Sequence, residues 1–196
     1  IMGLIHHLME HADLPLRLFF TMTRIPSQLE IEQYSPLVSK STPIELSPLP
    51  VEDLEALVKG VSHSSLWTLS GIECLYELSG GHPYIAKLLL LHVLGIASQS
   101  EPPPTVEREQ VESALSAALE DPHANHVLSN LYRVHFNDNE KALLLTVSRR
   151  GSLVTEKELK LAGAAWSKAA RYLENRHYLQ KISAGVDYRI NFLGKW

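Results

Sequence analysis

Gly80-Gly81-His82-Pro83-Tyr84 stands between two apolar runs at helical spacing, one ending at Leu78 and the other starting at Ile85. Paired glycines stop a helix because they accept the left-handed backbone that its last turn requires. A proline just beyond them starts the next helix, since the first helical position has no use for its missing N–H. The string therefore predicts two helices, over 69–78 and 83–97, with a flat, rigid proline ring at the joint.

Working outward, residues 50–59 read as a helix with Glu52, Asp53 and Glu55 in its first turns, where the helix dipole favours acids. Leu54, Leu57 and Val58 form its apolar side. Residues 99–105, with three consecutive prolines, are a stiff connection. Helices are predicted over 106–119 and 127–136. Nearer the amino terminus, 1–11 reads as a helix already in progress, with Leu4, Leu8 and His11 on one face. Residues 16–23 are short, apolar and bounded by Pro15 and Pro26, the profile of a buried parallel strand, and 44–46 are a second short strand.

Beyond Asn137 the pattern changes. Asn139 is a candidate cap for a helix over 141–149. Thr155 with Glu158 makes a capping box for a helix over 155–161, and 164–176 form a third. Segments 178–182 and 186–192 flank Ser183-Ala184-Gly185 as a hairpin. Three helices followed by a hairpin describe a winged helix-turn-helix. The charge divides at nearly the same place. Up to Glu140 there are 7 basic and 18 acidic residues, and from Lys141 onward 11 basic and 4 acidic. Two modules with different partners are expected from this split.

Composition narrows the classes. Apolar content of 45% and charged content of 20% suit a globular chain. No apolar run reaches the roughly 18 residues of a membrane span, so no membrane partner is expected. The single cysteine, Cys74, excludes an internal disulfide and fits a reducing compartment. Together with the lack of a signal-peptide pattern, this gives a cytoplasmic expectation. His6, His7 and His11 cluster, as do His123 and His126, but no cysteine pairs complete a structural zinc shell and no His-Glu-x-x-His site is present. Neither a metal nor a catalytic residue is assigned.

Leu18-Phe19-Phe20-Thr21-Met22-Thr23-Arg24 ends a predicted buried strand with a threonine and an arginine. Ligands of open α/β sheets bind outside such strand ends, and an arginine there can grip a phosphate. This segment resembles the fourth core strand and sensor of STAND and related AAA+ ATPases. Ser35-Pro36 with Ile44-Glu45-Leu46 resembles the next strand and the entry to the lid, and Gly81-His82-Pro83 is similar to the family's Gly-x-Pro motif. The likeness runs over most of the chain. It implies that Gly81 and Pro83 lie at the adenine and that Arg24 monitors the phosphates. It also implies ATP or ADP as the ligand of the intact parent. The phosphate-binding Gly-x-x-x-x-Gly-Lys-Ser/Thr loop and the acidic strand end of that family are not in this sequence. Tight nucleotide binding and catalysis by this chain alone are therefore not expected, and an N-terminal ATPase half is the implied partner.

The expected fold class is mainly α with short β elements. It comprises a remnant of a P-loop α/β core over 1–49, a helical lid over 50–136 and a winged helix over 137–196. The function expected is a nucleotide-sensing lid and regulatory winged helix. Two alternatives stand beside it. In one the winged helix reads DNA, with Lys168, Arg171 and Asn175 on the groove side of its third helix, Ala169 and Leu173 toward the core, and Lys181 and Arg189 flanking the wing. In the other the chain is an interaction module that associates through apolar surface near 1–20.

Overall fold

The computed structural model describes residues 47–62, 66–98, 105–150 and 154–196. The helix expected over 1–11, the strands over 16–23 and 44–46, Arg24 and residues 99–104 of the proline-rich connection lie outside the described residues.

Helix α1 (Val51–Val61) follows Pro50, with Glu52 and Asp53 in its first turn. It buries Leu54 and Val58 completely, whereas Leu57 faces outward at 39% exposure. Helices α2 (Leu69–Ser79) and α3 (Pro83–Ala97) flank the double glycine as their sequence predicts. Thr68 caps α2 by accepting from the Gly71 N–H. Helix α4 (Arg108–Glu120) starts later than expected. Val106 instead joins a parallel bridge to Trp67, and its carbonyl accepts from the Thr68 N–H at 3.0 Å. An apolar residue just before the true cap, Glu107, had continued the helical period without being helical. Helix α5 (Pro122–His135) starts earlier than expected, because Asp121 caps it and Pro122 takes its first position. These five helices enclose one core that includes Leu54, Leu75, Ile85, Leu89, Val93 and Val111, all almost fully buried.

The second part is a winged helix. Helix α6 (Asp138–Arg150) is capped by Asn137, not Asn139. The Asn137 side chain accepts from the Glu140 N–H at 3.0 Å, and the Glu140 carboxylate accepts from the Asn137 N–H at 2.9 Å. This is a reciprocal box of the kind expected at Thr155. That expected box is also formed, at the start of α7 (Glu156–Leu161), and α8 (Ala164–Asn175) follows. Strands β2 (Leu179–Ile182) and β3 (Gly185–Tyr188) form the hairpin, and β1 (Val154–Thr155) adds a third antiparallel strand in the order β1-β3-β2. The expected second hairpin strand extended to residue 192. It stops at Tyr188, and residues beyond it turn into a short helix, α9 (Asn191–Lys195). Leu143, Val147, Val154, Leu173, Leu179 and Val186 fill a second core.

Arg176 fastens this second part. Its guanidinium donates to the His135 carbonyl at 3.0 Å and to the buried Glu140 carboxylate at 3.3 Å. It also lies 4.9 Å from the Phe136 ring centre and 5.4 Å from that of Tyr178. Without it Glu140, at 4% exposure, would keep the Asn137 N–H and lose its charged partner. We predict that Arg176→Ala costs about 2–3 kcal/mol, since it strands a carboxylate and removes two cation–π contacts. Urea unfolding of the two proteins checks this. A loss under about 0.5 kcal/mol would contradict it.

Candidate nucleotide and nucleic-acid sites

The turn between α2 and α3 accounts for its backbone polar groups one by one. Gly80 has φ +58° and its N–H donates to the Tyr76 carbonyl at 2.7 Å. Gly81 has φ +75°, and its N–H donates to the hydroxyl of buried Ser79 at 3.3 Å. The His82 N–H donates to the Ser79 carbonyl at 2.9 Å, and the Gly81 carbonyl accepts from the Leu49 N–H at 2.8 Å. Two other backbones press on this turn. A β-carbon on Gly80 would lie 2.6 Å from the Arg189 carbonyl oxygen, and one on Gly81 would overlap the Leu49 carbonyl oxygen. Both positions thus need glycine twice, for the positive φ and for the space.

Pro83 takes the first position of α3 and is exposed, between half-buried His82 and Tyr84. The His82 Nδ1 and the Tyr84 hydroxyl are both buried without a hydrogen-bond partner. Burial holds the His82 ring below the ordinary histidine range, so it is neutral at neutral pH. Burial and then the nearby Asp121 charge push the Tyr84 hydroxyl up. The structure thus places Gly81 and Pro83 together at this joint. Arg24 lies outside the described residues.

The face of α8 is the second candidate. Lys168, Arg171 and Asn175 are exposed along one side, and Ala169 and Leu173 are buried on the other, at 2% and 0% exposure. Lys168 lies 5.5 Å from the centre of the Tyr172 ring. The two wing positions are engaged elsewhere. Lys181 pairs with Glu156 at 2.9 Å, and Arg189 Nε donates to the Gly80 carbonyl at 3.4 Å. The sequence puts three of the five residues on one side of the helix and two beside the wing. The fold gathers three of them and turns Arg189 back toward the double glycine, a contact between residues 109 positions apart that no local pattern signals.

A cleft of about 350 Å³ separates the five-helix part from the winged helix. Glu77, Arg108 and Glu112 line one side, and Ser148, Asp187 and Lys195 the other. Arg108 grips Glu77 through two hydrogen bonds, at 2.8 and 3.2 Å, which holds the Glu77 carboxyl below its usual range. Burial pushes the Cys74 thiol up, so it is an unreactive packed group. Among the described residues no three His, Cys, Asp or Glu side chains gather as a metal site. No described helix is long and apolar enough to cross a membrane.

No family model matches the chain, and no curated protein matches it. Among solved structures it is similar to the Thermotoga maritima RuvB Holliday junction branch migration motor. That likeness has 20% sequence identity and a TM-score of 0.41, over 79% of this chain and 51% of the other. Two mutant forms of the same protein match with 20% identity and a TM-score of 0.42, over the same shares of both chains. The chain spans about half the length of the structures it matches.

The half-buried His82 ring supplies a pH test. In the unfolded chain it takes a proton near the ordinary value of 6.5, whereas the folded chain resists that proton. Stability contributed by neutral His82 is therefore present above about pH 6.5 and declines as the pH falls below it. Urea midpoints between pH 7 and pH 5 are expected to drop, with a shallower drop in His82→Gln. Parallel profiles would refute this role for the ring.

Proposed function

We propose that this chain is the nucleotide-sensing and regulatory part of a STAND or AAA+-like ATPase switch and is not catalytic by itself. The helical part, α1 to α5, is the lid. ATP or ADP, held mainly by the N-terminal ATPase half of the intact parent, bridges that half and the lid. Pro83 packs on adenine, Gly81 lets the lid backbone come close, and Arg24 reports on the phosphates. The observation that carries the reading is the joint itself. An exposed, rigid proline sits at the start of a 15-residue helix, on a turn pressed by Leu49 on one side and by Arg189 of the winged helix on the other. A ligand against Pro83 would act on both neighbours, the arrangement a hinge-type switch needs.

In the intact parent, Pro83→Ala and Arg24→Ala are each expected to weaken binding of fluorescent ATP or ADP, or the discrimination between them, by about tenfold, or about 1.4 kcal/mol. Unchanged affinities for both nucleotides in both variants would overturn the reading.

A second reading is favoured by the exposed side of α8. There Lys168 and Arg171, with the amide of Asn175, offer a basic and hydrogen-bonding surface of the type that enters a DNA groove. Binding of labelled duplex DNA, followed by fluorescence anisotropy, is expected to weaken steeply with salt. Lys168→Ala/Arg171→Ala is expected to reduce the salt slope by about 2 if both residues meet phosphates. No binding at low salt would assign the winged helix to docking on its own parent or on a protein partner.

A further inference from the structure

The chain leaves the winged-helix core at Tyr188 and enters the core of the five-helix part by Ile190 and Phe192. Tyr188 closes β3 with its ring in the winged-helix core, and its hydroxyl donates to the Leu144 carbonyl at 2.8 Å. Two residues later, Ile190 is 2% exposed, and Phe192 is fully buried. Both lie in the core of the five-helix part, beside such residues as Leu54, Leu75 and Leu89. Arg189, between them, is bonded to both sides. Its N–H donates to the Tyr178 carbonyl in the wing at 3.1 Å, and its side chain donates to Gly80. Past Phe192 the segment ties back to each part again. Ser148 of α6 donates to the Gly194 carbonyl at 2.9 Å, and the Trp196 indole donates to the Asn125 side chain of α5 at 2.6 Å.

The direct chain connection between the two parts is only Phe136 and Asn137, between α5 and α6. A body joined at one point pivots about it. A second attachment restricts that rotation. We infer that residues 189–196 are a strap that locks the winged helix to the five-helix part as a single rigid body, with Phe192 as its anchor. The Gly80–Arg189 approach is where a displacement of the α2–α3 turn would enter the strap. Its consequence for switching rests on the nucleotide reading above, but the rigidity does not, and the test reads the rigidity alone.

The test uses the full chain with spin labels at Asp53→Cys on α1 and Ser167→Cys on α8, in a Cys74→Ala background. Pulsed electron spin resonance is expected to give one narrow distance distribution. Phe192→Ala is expected to broaden it while circular dichroism keeps its helical signal, and Phe192→Leu, which still fills the core, is expected to leave it narrow. A broad distribution in the parent chain, or an equally narrow one in folded Phe192→Ala, would overturn the strap. If Phe192→Ala loses its helical signal, Ile190→Ala replaces it and is read in the same way. Failure of the nucleotide experiment with a positive result here would leave a rigid two-part body with a different input.

Discussion

Three backbones meet at two residues without side chains. At Gly80 the winged helix's Arg189 carbonyl comes too close for a β-carbon, and at Gly81 the Leu49 carbonyl does the same. The angle between α2 and α3, the path of residues 47–50 and the direction of the chain after β3 all pass through this contact. A backbone approach of this kind is stiff. The Leu49 N–H also donates to the Gly81 carbonyl at 2.8 Å, which ties residue 49 to the same turn.

Around that contact the two cores share their boundary residues. Leu131, Tyr178 and Leu193 pack against both. Phe136 meets Tyr178 edge to face at 4.9 Å under the Arg176 guanidinium, beside the short α5–α6 joint. Apolar burial at Phe192 contributes roughly 1.5–3 kcal/mol to holding the last residues in place, which is more than the surface ion pairs nearby can supply. The polar groups set direction instead. Arg189 and Lys181, both read as wing cations, are drawn to Gly80 and Glu156, leaving the basic character of the third helix to Lys168 and Arg171.

Much of the fold was legible because its signals are local. The double glycine and Pro83 fixed the end of α2 and the start of α3 to within a residue, since positive φ and a missing N–H are properties of single residues. The Thr155 and Glu158 box marked α7 for the same reason. Misplaced boundaries came from weighing apolar spacing over capping chemistry. Asp121-Pro122 is a helix start readable in the sequence, and Asn137 with Glu140 is another. Strand β1, two residues long, has no periodicity to read and exists only because β3 offers it an edge.

The sequence by itself determined a mainly helical chain with a glycine–proline break between α2 and α3, a charge division near residue 140 and a winged helix whose third helix buries Ala169 and Leu173 and exposes Lys168, Arg171 and Asn175. These follow from backbone preferences and from helical periodicity, which act over a few residues. Only the tertiary structure decided that residues 189–196 leave the wing and enter the other core, and that Arg189 faces Gly80. It alone decided that the His82 Nδ1 and the Tyr84 hydroxyl, on either side of Pro83, are buried without a hydrogen-bond partner. Those outcomes depend on which distant surfaces come to touch, and Ile190 and Phe192 alternate as a strand would until a hydrophobic core built between Leu54 and Leu128 claims them.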